Sequence, residues 1–103
     1  MFVVRRIHHA KPGTSRKLAA VMAEIGEMYL ESGDRKPSRI YTSGGSVPGP
    51  LNTVYMEWLE EALMSPYRPD LAKPEPENDL FAQLREFEAA PSEIEFYELF
   101  SGE

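Results

Sequence analysis

Cysteine is absent from the chain, which excludes disulfides, thiolate nucleophiles and zinc–thiolate sites and agrees with a reducing compartment. Long apolar runs are absent too. The longest, Leu18 to Ala23, has six residues, far short of the roughly 20 that a membrane-spanning helix needs. Arg5 and Arg6 come after only three apolar residues and no cleavable apolar stretch is present, so no secretory signal is expected and the expected location is the cytoplasm. Imidazoles are scarce, with only His8 and His9 present. Neighbours on a strand point to opposite faces, so these two cannot chelate one metal together. Neither a metal nor another cofactor is expected. Acids are missing from the first 23 residues, which hold five basic groups (Arg5, Arg6, Lys11, Arg16 and Lys17). The other eighty residues hold six basic and seventeen acidic groups. The net charge of −6 opposes phosphate backbones, and no basic stripe with interleaved aromatics occurs. Nucleic acid and anionic membrane are therefore not expected as partners.

What is present is the material of an ordinary globular protein. Hydrophobic residues make up 42% and charged residues 27% of the 103, and that length suits one domain spanning 1–103. A monomer of this size has little room for a deep cavity, so a sizeable pocket calls for a partner chain.

Local patterns give the elements. Residues 2–10, rich in β-branched and aromatic side chains, read as a strand stopped by Lys11-Pro12-Gly13. Leu18, Val21, Met22, Ile25, Met28 and Tyr29 recur at helical spacing, which predicts a helix over 15–32 capped by Thr14 or Ser15. Gly33 supplies the positive φ that ends it. Residues 38–43 and 52–59 read as two further strands joined by a glycine- and proline-rich turn. Four prolines at 66, 69, 74 and 76 make 65–76 an extended loop. Asn78 or Asp79 caps a second helix through Leu80, Phe81, Leu84 and Phe87 to Ala90, which Pro91 ends. Residues 94–100 form the last strand.

The order β-α-β-β-α-β predicts an α+β, ferredoxin-like fold: a four-stranded antiparallel sheet with two helices on one face. In it the last strand lies beside the first, so Arg5 and Arg6 meet Glu93, Glu95 and Glu98. Each opposite-charge pair on neighbouring strands contributes roughly 0.2–1 kcal/mol. The strands carry large apolar groups on both faces, and a strand with two apolar faces is buried on both. No third helix is available, so a second copy packing sheet to sheet is expected, giving a two-fold homodimer.

Three stretches carry a family likeness. The first strand runs into Lys11-Pro12-Gly13 and an amphipathic helix, with Arg6 five residues before the lysine. Gly49-Pro50-Leu51-Asn52-Thr53-Val54 is followed by Trp58 four residues beyond the valine, and the closing strand matches in character. In these respects the chain resembles the NIPSNAP-like group of dimeric α/β-barrel proteins, relatives of small cofactor-independent monooxygenases. It departs from that pattern at 65–78, where prolines replace a basic helical segment, and at His8, where an aromatic is expected. The resemblance implies a dimeric α/β barrel binding a small hydrophobic or aromatic molecule, with monooxygenase or isomerase chemistry as the activity. A non-catalytic binding or assembly module is the alternative.

Parity places Val4, Arg6 and His8 on one face of the first strand and Val3, Arg5, Ile7 and His9 on the other. With the first set lining the dimer barrel, His8 suits general acid–base catalysis, since an unperturbed imidazole titrates near neutrality. A hydrogen-bonded histidine at a strand end is the plainer reading. Arg6 can hold an anionic oxygen of a ligand or pair with Glu95 or another acid on the last strand. Tyr41, Tyr55, Trp58 and Tyr97 can line an aromatic pocket or serve as sheet core. Asn52 is expected to stabilise its turn through its side chain. Tyr41 is a second candidate, beside Arg6, for holding an oxyanion.

Overall fold

The computed structural model describes residues 1–45, 47–62 and 79–100. The elements are β1 (Phe2–Ala10), α1 (Ser15–Glu31), β2 (Arg39–Ser43), β3 (Thr53–Glu60), α2 (Leu80–Phe87) and β4 (Glu88–Glu98). They build an α+β fold with one four-stranded sheet in the order β2-β3-β1-β4, every neighbouring pair antiparallel. The arrangement is consistent with the expected ferredoxin-like one, with β4 beside β1. The proline-rich loop expected over 65–76 lies outside the described residues.

Helix α1 follows its apolar spacing. Leu18, Val21, Met22, Ile25 and Tyr29 are buried in it, and burying each large apolar side chain contributes about 1.5–3 kcal/mol. Its C-terminus closes as the sequence predicts. Gly33, at φ 80°, donates its N–H to the Leu30 carbonyl, and the Asp34 N–H reaches back to Tyr29. These two bonds satisfy the last helical carbonyls. At the other end the expected cap is corrected. Thr14 occupies the N-cap position, but its hydroxyl donates to the Lys11 carbonyl at 2.6 Å and caps no helical N–H. Asp79 does cap α2, accepting from Ala82 N–H at 2.9 Å.

One layer of core lies between sheet and helices. Val4 and Ala10 of β1, with Val54, Met56 and Trp58 of β3, are buried against the α1 residues and Leu80 of α2. Ile40, Phe81, Leu84, Phe87 and Ile94 pack around them. A cationic plate closes the core beside α1. The Arg35 guanidinium lies 4.0 Å from the Tyr29 ring and 3.9 Å from the Trp58 ring, so both aromatic faces gain a cation–π contact.

The second helix is shorter than its sequence suggests. It ends at Phe87, and β4 begins at Glu88, not at Ile94. Tertiary pairing overrides the local helical preference here: Glu88 stands opposite Ala10, and the Phe87 carbonyl accepts from the Lys11 N–H at 2.8 Å. Pro91 therefore lies within a strand rather than ending a helix. It is tolerated because β4 is an edge strand whose register slips between Ile7 and His9, and prolines are admitted at edges and bulges.

Candidate functional site

The two residue sets of β1 face opposite ways, as parity requires, and the structure settles what parity left open, namely which set the helices cover. Val4, Arg6 and His8 lie on the helix-covered side, in register with Trp58, Met56 and Val54. Arg5, Ile7 and His9 look out from the helix-free side. The bulky trio on β3 decides the matter, because it is the face that α1 covers.

His8 is consequently buried, only 5% exposed. Its Nδ1 lies 2.7 Å from Oε1 of Glu88. The contact exists because β4 is irregular there. Residues 93 and 90 oppose Ile7 and His9, leaving Pro91 and Ser92 to span His8, and a second slip sets Glu88 opposite Ala10. Each inserted residue swaps the face that the strand presents, so the two slips cancel and leave Glu88 on the helix side with Ile94, while drawing it along β1 to stand opposite Ala10, next to His8 on that face. Burial holds the His8 imidazole below the ordinary histidine range, aided by the nearby Arg6 and His9 charges and opposed by Glu88. At neutral pH the ring is thus uncharged. With a carboxylate at Nδ1, that nitrogen carries the proton, and Nε2 holds a free lone pair. A neutral imidazole oriented by a carboxylate is the arrangement of a general base.

Arg6 stands two residues before His8 on the same face, half-buried and opposite Ile94. The expected pairing of Arg6 with Glu95 is corrected, since Glu95 opposes Arg5 on the other face. No carboxylate among the described residues lies within ion-pair distance of Arg6. Trp58 is buried on the helix side too, its Nε1–H donating to Glu60 at 2.9 Å and its ring held under Arg35.

The tyrosines are elsewhere. Tyr41, Tyr55 and Tyr97 stand on the helix-free face, around an ion pair that the sequence did not reveal: Arg5 Nη2 to Glu57 Oε1 at 2.8 Å. The Tyr41 hydroxyl donates to the other Glu57 oxygen at 3.2 Å, and the Tyr97 hydroxyl donates to Glu95. Arg5 lies 6.0 Å from the Tyr55 ring and 5.5 Å from that of Tyr97. The hydrogen bond from Arg5 holds Glu57 below the usual carboxylate range, and Tyr97 is raised chiefly by Glu95. The Arg5 Nε is sealed from solvent with no acceptor among the described residues. On the same face His9 Nε2 sits 2.9 Å from Glu93.

Asn52 belongs to neither group. It adopts a left-handed conformation, φ 51°, in the turn before β3, and its backbone carbonyl accepts from Ala10 N–H at 2.7 Å. Its contribution to the turn is this backbone conformation, which asparagine tolerates better than most residues, and not the side-chain bond expected. Apart from Asn52, the residues picked out from the sequence therefore fall into two places. His8, Arg6 and Trp58 lie under the helices; Tyr41, Tyr55 and Tyr97 lie on the open face. Tyr41 does not join His8 as an oxyanion holder, because the sheet stands between them. Glu88, Arg5 and Glu57 were not among them. The only local hint of Glu88 is the break in alternation through Ala89, Ala90 and Pro91.

No group of three or more metal-ligating side chains occurs among the described residues, and no helix among them is long and apolar enough to cross a membrane. No family model matches the chain, and no characterised protein matches its sequence.

Proposed function

We propose that this chain is a homodimeric domain of the NIPSNAP-like, dimeric α/β-barrel kind that binds a small aromatic or enolisable molecule and moves a proton on it. The observation that carries the reading is the buried His8–Glu88 pair with Arg6 beside it. In this reading Nε2 of His8 takes a proton from a phenolic oxygen or an activated carbon, and Glu88 stabilises the resulting imidazolium. Arg6 holds the oxyanion that forms. Return of the proton to another carbon completes an isomerisation without cofactor or oxidant. The helix-free face, with Val3, Ile7, Leu59 and three tyrosines, is the surface that a second copy covers.

A second reading rests on the same bulges. Glu88 opens β4 where the strand slips twice, so its bond to His8 equally serves to pin the strand to β1, in a domain that binds or assembles without catalysis. A thermal-shift panel of phenols, quinols, haem and flavin separates the two. A ligand at a hundred times its dissociation constant stabilises by about 2.7 kcal/mol, several degrees for a domain of this size. The proton-transfer reading expects a phenol or quinol to raise the melting temperature, less so in Arg6→Ala. A flat panel, with His8→Asn doing nothing but lowering stability, would support the clamp.

A further inference from the structure

The helix-free face carries a row of charges whose order has a consequence for how two copies meet. Cross-strand register aligns Arg39 of β2 with Glu57 of β3, Glu57 with Arg5 of β1, and Arg5 with Glu95 of β4. One level of the sheet therefore reads plus, minus, plus, minus from edge to edge. The inner two charges are paired with each other. The outer two, Arg39 and Glu95, are exposed, and neither makes an ion pair among the described residues. On one side of this row lie Tyr41, Tyr55, Ile7 and Glu93, and on the other Leu59, Val3 and Tyr97.

We infer that this face binds a second copy of the chain with the two-fold axis parallel to the strands, the row of four charges fixing that orientation. The inference rests on the homodimer proposed above and adds its geometry. Two sheets packed face to face with their strands roughly aligned have two choices of axis in the interface plane. An axis parallel to the strands lays β2 over β4 of the second copy and reverses every row. Arg39 then meets Glu95 of the second copy, Arg5 meets Glu57, and all four contacts join opposite charges. The neighbouring rows agree: the Tyr41 hydroxyl comes over a Glu93 carboxylate, Tyr55 over Ile7, and Leu59 over Val3. An axis across the strands, through the charged row, lays each strand over its own copy. Arg39 then faces Arg39 and Glu95 faces Glu95, four like-charge contacts in place of four favourable ones. Like charges brought together across an interface suppress the wrong arrangement.

Reversing the outer charges tests the orientation. Sedimentation equilibrium of the full chain is run on the native protein, on Arg39→Glu, on Glu95→Arg, on their equimolar mixture and on the double variant. The parallel axis expects each single variant to dimerise at least tenfold more weakly. Both the mixture and the double variant regain native affinity, because each restores two opposite-charge contacts. Melting curves by circular dichroism confirm that each variant folds. Should one fail to fold, Arg39→Gln and Glu95→Gln replace it, and the expected result is a dimer that has lost its sensitivity to salt. Single variants as tight as the native dimer overturn the inference and leave the homodimer standing. Preferential pairing of Arg39→Glu with native chains points to the other axis and also overturns it. A native protein that is monomeric at micromolar concentration removes the homodimer and the orientation together.

Discussion

Removing the Glu88 carboxylate isolates what the buried His8 contributes. The His8 side chain is 7% exposed and that of Glu88 17%, so solvent replaces little of their hydrogen bond. Glu88→Ala leaves the Nδ1–H of a buried, neutral ring without an acceptor, which costs about 1–3 kcal/mol. For a domain of this size that lowers the melting temperature by roughly 5–20 °C. The pH dependence follows from the causes of the His8 shift. Burial, Arg6 and His9 all disfavour the imidazolium, and Glu88 alone favours it. In Glu88→Ala only the disfavouring causes remain, so His8 titrates at a lower pH than in the native protein. Its folded value lies below the unfolded one of about 6.5. The stability it contributes is therefore complete above about pH 6.5 and is lost as pH falls toward the folded value. That loss is larger in the variant, so its deficit against the native protein is greater at pH 5 than at pH 8. The chain has two histidines, and a His9→Gln background leaves a single imidazole to follow by proton NMR. A resonance that titrates at higher pH in Glu88→Ala, or a melting temperature that does not move, would refute the reasoning.

Two other substitutions address the frame around the site. Arg35→Ala removes the guanidinium held 4.0 Å from Tyr29 and 3.9 Å from Trp58 and is expected to cost about 1–3 kcal/mol in a urea titration, since each half-desolvated cation–π contact contributes about 0.5–2 kcal/mol; Arg35→Lys is expected to recover part of it. Asp79→Ala deletes the acceptor for Ala82 N–H and is expected to cost about 1 kcal/mol, restored in large part by Asp79→Ser; an Asp79→Ala curve superimposed on the native one would show that the cap carries no stability.

The parts of the fold that depend on neighbours in sequence were legible from them. The Leu18 to Tyr29 spacing located α1 to within a residue. Gly33 ended it by the backbone conformation expected, and Asp79 capped α2 through its own side chain. The beginning of β4 was not legible, for a physical reason. Leu80, Phe81, Leu84 and Phe87 keep helical spacing, Ala89 and Ala90 are good helix formers, and Pro91 is a ready terminator, so every local preference extends the helix. What stops it at Phe87 is β1, seventy-odd residues earlier, which offers an edge to pair with. His8 and Glu88 lie 80 positions apart, and Arg5 and Glu57 lie 52 apart. Pairs of that separation leave no trace in a local pattern.

Parity behaves differently, because it is a local rule with a global ambiguity. Alternation along β1 separates Arg6 and His8 from Arg5 and His9 with no further information. It does not say which set the helices cover, since each contains apolar and basic residues. The choice is made on β3, where Val54, Met56 and Trp58 fall in register with the His8 set and supply the volume that α1 packs against. Once that face is taken, Arg5 has to stand in the middle of the other. A central arginine on an apolar face needs a carboxylate, and Glu57 is the one that the register brings opposite it. The charged row on the helix-free face is thus a consequence of how the core was filled: burying one set of β1 residues under the helices left Arg5, in the opposite set, to find its carboxylate across the other face of the sheet.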